Sequence, residues 1–141
     1  MSEQSEPNAA NSSAAPVVVS RTVACPVKRV WKELMTKDGA EALLGPGAEF
    51  GEKGHTWRSA DGRTGVVRTL HPMEELRFSF RKDDQSPPTI VRIDLTADGD
   101  STTLLVTHSN LGDDIDPAWV TQRWQAALER IDDYLKDSGV S

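Results

Sequence analysis

Residues 117 to 136 repeat apolar side chains at the period of a helix, with Val120, Trp124, Ala127, Leu128, Ile131 and Leu135 on one face. Arg123, Glu129, Arg130 and Asp133 fall on the other faces. Asp116 suits the N-cap, Pro117 suits the first helical position, and Asp113 and Asp114 lie just ahead. All three carboxylates favour the positive end of the helix dipole. A helix with one long apolar stripe has to bury that stripe against another element. The stripe is long enough to cover a sheet.

The preceding chain supplies strands. Val17, Val19 and Val23 alternate with Arg21 among them, which predicts a strand over 17–24. Pro26 suits the start of a helix, and Val27, Val30, Trp31 and Leu34 then follow one helical face. A second short helix is predicted over 38–44, ended by Gly45-Pro46-Gly47. From there to residue 110 the period becomes strand-like. Segments 54–60 and 65–71 flank Asp61-Gly62, a hairpin signal. Leu76, Phe78 and Phe80 alternate with Arg77, Ser79 and Arg81, and segments 90–96 and 102–109 meet at Asp98-Gly99-Asp100. The predicted order is a strand, two short helices, about six further strands in an antiparallel meander, and the long helix.

This pattern predicts an α+β fold of the helix-grip kind, a curved antiparallel sheet around a long C-terminal helix. Residues 16–137 are read as one domain, 1–15 as a disordered tail rich in Ser, Asn, Ala and Glu, and 138–141 as a C-terminal tail. A strongly curved sheet does not close tightly on a straight cylinder, so the arrangement tends to leave room between helix and sheet. That room is the physical basis of a ligand-binding reading.

Composition narrows the partners. A net charge of −6 with no basic stretch lacks the electrostatic footprint of a nucleic-acid or anionic-membrane binder. No apolar run approaches the roughly 20 residues needed to cross a bilayer, so no membrane insertion is expected. The N-terminus lacks the basic start and apolar stretch of a secretory signal, and Cys25 is the sole cysteine. Together these predict a cytoplasmic protein.

Four segments carry a family resemblance: Ala24-Cys25-Pro26-x-x-x-Val30-Trp31, Ala60-Asp61-Gly62-Arg63-x-Gly65-x-Val67, Leu76-Arg77-Phe78-Ser79-Phe80, and Leu105-Val106-Thr107-His108-Ser109-Asn110-Leu111. The first resembles the opening of the SRPBCC superfamily, the helix-grip fold shared with START lipid-binding domains and the birch-pollen allergen. The others, with Trp124, Leu128 and Leu135 behind them, resemble the branch named after the activator of the heat-shock-protein-90 ATPase. The resemblance runs from about residue 17 to 136 and implies a ligand cavity or a chaperone partner. Two departures accompany it. Many relatives carry a Trp after the second helix, where this chain has Leu43-Leu44-Gly45. The chaperone cofactors that name the branch also carry a separate N-terminal chaperone-contacting domain, which the short tail here does not supply.

Catalytic and metal chemistry find little support. His55, His71 and His108 have no metal-ligand spacing, and neither a metal site nor any cofactor is implied. Gly45-Pro46-Gly47-x-x-x-Gly51 fits neither phosphate-loop pattern and reads as a turn. Cys25 at a helix start has no identifiable base and reads as a gap-filling residue. The carboxylates Asp98 and Asp100 read as turn residues. No catalytic residue is assigned.

The aromatic set is the remaining signal. Trp31, Phe50, Trp57, Phe78, Phe80 and Trp124 should mostly share the inner face, together with Arg21 and His108. Two readings stay open. In one, these residues line a cavity for a small hydrophobic molecule (a lipid, a polyketide-like compound or an aromatic metabolite), with Arg21 available to an acidic or carbonyl group. In the other, the rings are plain core and Arg21 and His108 reach solvent at the sheet rim. Behind ligand binding stand two alternatives that the resemblance implies: a protein-interaction module with a chaperone or other partner, as the branch name suggests, and, since some superfamily members are cyclases or hydrolases, an enzyme of that kind using His108 as acid or base.

Overall fold

The computed structural model describes residues 16–83, 85–111 and 115–138, with the side chains of 137 and 138 left aside. The tail expected over 1–15, Asp113 and Asp114, and residues 139–141 of the expected C-terminal tail lie outside the described residues. The order is β1 (Val17–Val23), α1 (Val27–Leu34), α2 (Lys37–Leu44), β2 (Thr56–Arg58), β3 (Thr64–His71), β4 (Glu75–Phe80), β5 (Thr89–Asp98), β6 (Ser101–Ser109) and α3 (Pro117–Ser138).

The strands form one six-stranded sheet in the order β1-β6-β5-β4-β3-β2, with every neighbour antiparallel. Among the described residues five strands follow the two short helices, against about six expected. The connection from β4 to β5 stays irregular and carries Pro87 and Pro88, which cannot donate to a ladder. Between Val67 and Thr69 the β3–β4 register slips, a bulge that bends the sheet.

The local signals act as the residue types dictate. Thr36 caps α2 by accepting from the Gly39 N–H at 3.1 Å. Asp116 caps α3 by accepting from the Ala118 N–H at 3.0 Å. Pro26 sits one position earlier than expected, as the N-cap of α1 with an extended ψ of 153°, and its carbonyl takes the Arg29 and Val30 N–H groups. β2 is shorter than the expected segment because the chain turns early, the Ser59 N–H donating to the Arg63 carbonyl at 2.8 Å.

The sheet and α3 make two layers, with α1 and α2 closing one side of α3. The α3 stripe of Val120, Trp124, Ala127, Leu128, Ile131 and Leu135 is buried as the periodicity predicts. It meets Leu76, Phe78, Val91, Ile93, Leu104 and Val106 from the sheet in one apolar core. Gly65 is required by close approach. A Cβ there would lie 1.9 Å from the Ser79 carbonyl oxygen and 2.6 Å from Trp57 Nε1. That space lets the buried Trp57 indole donate to the same carbonyl at 3.2 Å.

Candidate functional site

Rings come inward from the segment ahead of β2, from β2, β4 and β6, and from α3, and they meet in series. Phe50 packs on Phe78 at 5.7 Å between centroids, and Phe78 on Trp57 at 6.2 Å. Trp57 packs on Phe80 at 5.6 Å, Phe80 on His108 at 5.8 Å, and His108 on Trp124 of α3 at 5.9 Å. All of these side chains are buried. Aromatic contacts fill the inner face where helix and sheet overlap, so this row is core over most of its length.

Trp31 and Arg21 stand apart from the row. Trp31 is half-buried on α1 and packs against the edge of the core. Arg21 shares the inward face of β1 as predicted, but β1 is an edge strand, and there the side chain meets the C-terminal half of α3. Its Nε donates to Asp132 Oδ2 at 2.9 Å, and Nη2 approaches the same oxygen at 2.9 Å. Arg21 is thereby committed to an ion pair between sheet and helix.

His108 closes the row, and its two nitrogens are both engaged. The Trp124 indole N–H donates to Nδ1 at 3.0 Å, which leaves the ring proton on Nε2. Nε2 lies 2.7 Å from Thr89 Oγ1, whose own hydroxyl donates to the Phe80 carbonyl at 2.7 Å. Indole, imidazole, hydroxyl and carbonyl thus run as one relay of donors with a single polarity. Burial, aided by the nearby Arg123 cation, pushes the His108 pKa down to about 4. The neutral ring with both nitrogens bonded is a structural relay, and it offers no free nitrogen for proton transfer to a substrate.

Beyond His108 the packing opens. A pocket of about 90 Å³ lies between the end of the sheet and the first turn of α3, with Phe80, Leu111, Ile115, Trp119 and Val120 among its walls and His108 at its inner end. Asn110 shapes this end. Its left-handed backbone (φ 64°) turns the chain off β6 so that Leu111 folds inward, and its amide donates to the Pro88 carbonyl at 3.1 Å. Trp119 stands at the mouth and is 56% exposed.

On the other side of Trp119 runs a wider groove of about 450 Å³, between α3, the end of α2 and the β2–β3 turn. Arg63, Asp61 and Arg123 line it. The Arg123 guanidinium stacks 4.7 Å from the ring centroids of both Phe80 and Trp124. Burial, and then the Arg63 cation, lower its pKa to about 10, with Asp61 opposing. Ser59 donates to the Asp61 carboxylate, and this bond leads the causes that hold Asp61 below the usual carboxylate range.

Trp119, Arg123 and Arg63 were not singled out by the sequence. A signal exists for Arg123, which sits at i+3 from Val120 and i−4 from Ala127, on the flank of the apolar stripe. Among the described residues no three His, Cys, Asp or Glu side chains converge as a metal group would need. No helix there is long and apolar enough to cross a membrane.

Solved structures share this architecture. Protein MLL2253 from Mesorhizobium loti superposes with a TM-score of 0.75 at 22% identity, over 87% of this chain and 98% of that one. The Aha1 dimer protein from Colwellia psychrerythraea gives 0.72 at 19% identity, over 86% and 96%. CalU16 from Micromonospora echinospora gives 0.71 at 18%, over 84% and 72%. At these identities the likeness shows the fold. No curated protein matches the chain. The family model described as Activator of Hsp90 ATPase homolog 1-like protein matches residues 22–136, which takes in the end of β1 from Thr22, every later strand, and all three helices up to the last residues of α3. The chain belongs to the Activator of Hsp90 ATPase homolog 1-like family, within the SRPBCC helix-grip fold.

Proposed function

We propose that the protein binds a small hydrophobic molecule, such as a lipid, a polyketide-like compound or an aromatic metabolite, at the open end of its sheet. The observation that carries this reading is the apolar pocket between Phe80, Leu111, Ile115 and Val120, with His108 at its inner end and Trp119 at its mouth. An apolar chamber with few polar groups is the usual form of a small-molecule site. Its 90 Å³ is well below the roughly 300–1,000 Å³ of a drug-sized site. It therefore takes a ring or a short alkyl segment, and the rest of the ligand lies against Trp119. Burying a group the size of a Phe side chain stabilises the complex by roughly 1.5–3 kcal/mol before entropic costs.

The site residues of this reading are Phe80 and His108 from the aromatic row, joined by Leu111, Ile115, Trp119 and Val120. Phe50, Trp57, Phe78 and Trp124 complete the row behind them, Trp31 stands apart at the edge of the core, and Arg21 holds α3 to the sheet. The test is a titration of alcohols, acids and aromatic compounds followed by tryptophan fluorescence and thermal stability, repeated on Val120→Trp. Binding to the wild type and its loss in the filled variant support the reading. A folded protein with no response across the panel removes it.

A second reading is a protein-interaction module, including regulation of a chaperone ATPase as the family description suggests. It is favoured by the exposure of Trp119, since an exposed large ring often anchors a protein contact. A Trp119→Ala variant that loses capture of a purified Hsp90-type chaperone, with small-molecule binding absent, would select it.

A further inference from the structure

Helix α3 carries a second stripe beside its core-facing one. Trp119, Arg123, Ala126 and Arg130 recur at helical spacing and face the groove whose opposite walls are Gly45-Pro46 and the β2–β3 turn. The small Ala126 and Ala127 leave the groove its depth. The carboxylates on this surface are already engaged. Glu41 accepts from the Gly47 N–H at 2.8 Å, while Asp61 takes the Ser59 hydroxyl and pairs with Arg63 at 3.4 Å. Arg130 stacks on Tyr134 and donates to its hydroxyl at 3.0 Å.

Arg123 is the exception. Its Nη2 donates to the Leu43 carbonyl at 3.3 Å, yet Nη1 is buried and has no hydrogen-bond partner among the described residues. A guanidinium held between two rings, beside a second arginine, and with no carboxylate bonded to it, is an under-compensated cation in a partly dry site, with Asp61 as the opposing charge. With its pKa near 10 it stays charged at neutral pH. Buried cations are ordinarily paired, and leaving a buried donor unbonded is costly. An anion in the groove would relieve the repulsion from Arg63, and a small turn of the guanidinium toward it would give Nη1 its missing partner.

We infer that the groove binds a carboxylate at Arg123, and that the ligand class is a hydrophobic carboxylic acid. Its acid end lies on Arg123 with Arg63 nearby. Its apolar body passes Trp119, which lines both spaces, into the pocket ahead of His108. This inference rests on the apolar pocket being a ligand site, and it adds the charge that selects the ligand. Arg21, the arginine that the sequence offered for this role, is already paired with Asp132.

The experiment compares octanoate with octanamide, equal in size and differing in charge, by calorimetry at pH 7. Wild-type protein should bind octanoate at least about tenfold more tightly, the range of a charge-assisted hydrogen bond. In Arg123→Gln the ratio of the two affinities should collapse toward one. Arg63→Gln, at a more exposed position, should lower the ratio severalfold and serves if Arg123→Gln does not fold. Equal binding of the two compounds by the wild type overturns the inference and leaves the apolar site standing. A ratio that survives both substitutions also overturns it. Binding of neither compound removes the apolar site and the inference together.

Discussion

His108 should make the stability of this protein fall on mild acidification, in a window separate from that of its carboxylates. The perturbation is a change of pH from 7 to 4. In the folded protein burial and Arg123 hold the His108 pKa at about 4, against 6.5 for the unperturbed group. The unfolded chain therefore binds the proton first, and the folded state loses ground as the pH drops. The contribution is fully present above pH 6.5 and is lost as the pH falls toward 4. From those two values the loss is about 2 kcal/mol at pH 5 and about 3 kcal/mol at pH 4. Geometry gives the same sign, because a second ring proton would set an N–H of His108 against the indole N–H of Trp124. Asp61, whose pKa is lowered from 3.8, loses its contribution only below that pH, outside the window.

Urea denaturation followed by tryptophan fluorescence, at several pH values from 7 to 4, measures the effect. The control is His108→Gln, whose amide oxygen can accept from Trp124 and whose amide N–H can donate to Thr89. The difference between wild type and variant cancels the titration of all other groups. That difference should shift against the wild type by about 2 kcal/mol between pH 7 and 5. A difference that stays level over this interval, or a folded-state His108 resonance titrating near pH 6.5, refutes the relay and its burial.

Three further outcomes follow from single contacts. Trp124→Phe keeps the ring but removes the donor to His108 Nδ1, so stability should fall by about 1–3 kcal/mol and the His108 pKa should rise, read by denaturation and by imidazole NMR. Gly65→Ala drives a methyl group into the Ser79 carbonyl and the Trp57 indole, and should cost more than the ordinary 1 kcal/mol of a point substitution, with a blue or red shift of Trp57 emission. Arg21→Ala removes the tie between β1 and α3 from a partly exposed pair, and should cost about 1 kcal/mol by denaturation without altering ligand affinity.

The parts of the fold that could be read from the sequence are those set by near neighbours in the chain. The α3 stripe depends on spacings of three and four residues, and Leu76-Phe78-Phe80 depends on a spacing of two, so helix and strand follow from the local pattern. The same alternation correctly turns Arg21 and His108 inward. What alternation does not contain is the place of a strand in its sheet. β1 is an edge, so Arg21 reaches Asp132, 111 residues away, while β6 is interior, so His108 is sealed between Thr89 and Trp124. Arg123 escaped notice for a related reason. Its partners Leu43, Arg63 and Phe80 come from three separate stretches of chain, and only the folded molecule brings them to one guanidinium.

The curved sheet also explains where room is left. Between Phe50 and Trp124 the space between the layers is taken up by rings in contact, and vacancy there would forfeit dispersion contacts on every side. At the first turn of α3 the sheet runs out, β4, β5 and β6 end near Phe80, Thr89 and Ser109, and the chain returns through loops. Loop backbone cannot pack with ladder regularity, so a pocket forms at that end, bounded by the last rings of the row. The same place puts Arg123 between Phe80 and Trp124, within reach of both the pocket wall and the His108 relay. Charge compensation at Arg123 would weaken one of the two influences that keep His108 neutral. An acid bound there should therefore raise the His108 pKa, and a neutral analogue of the same size should not.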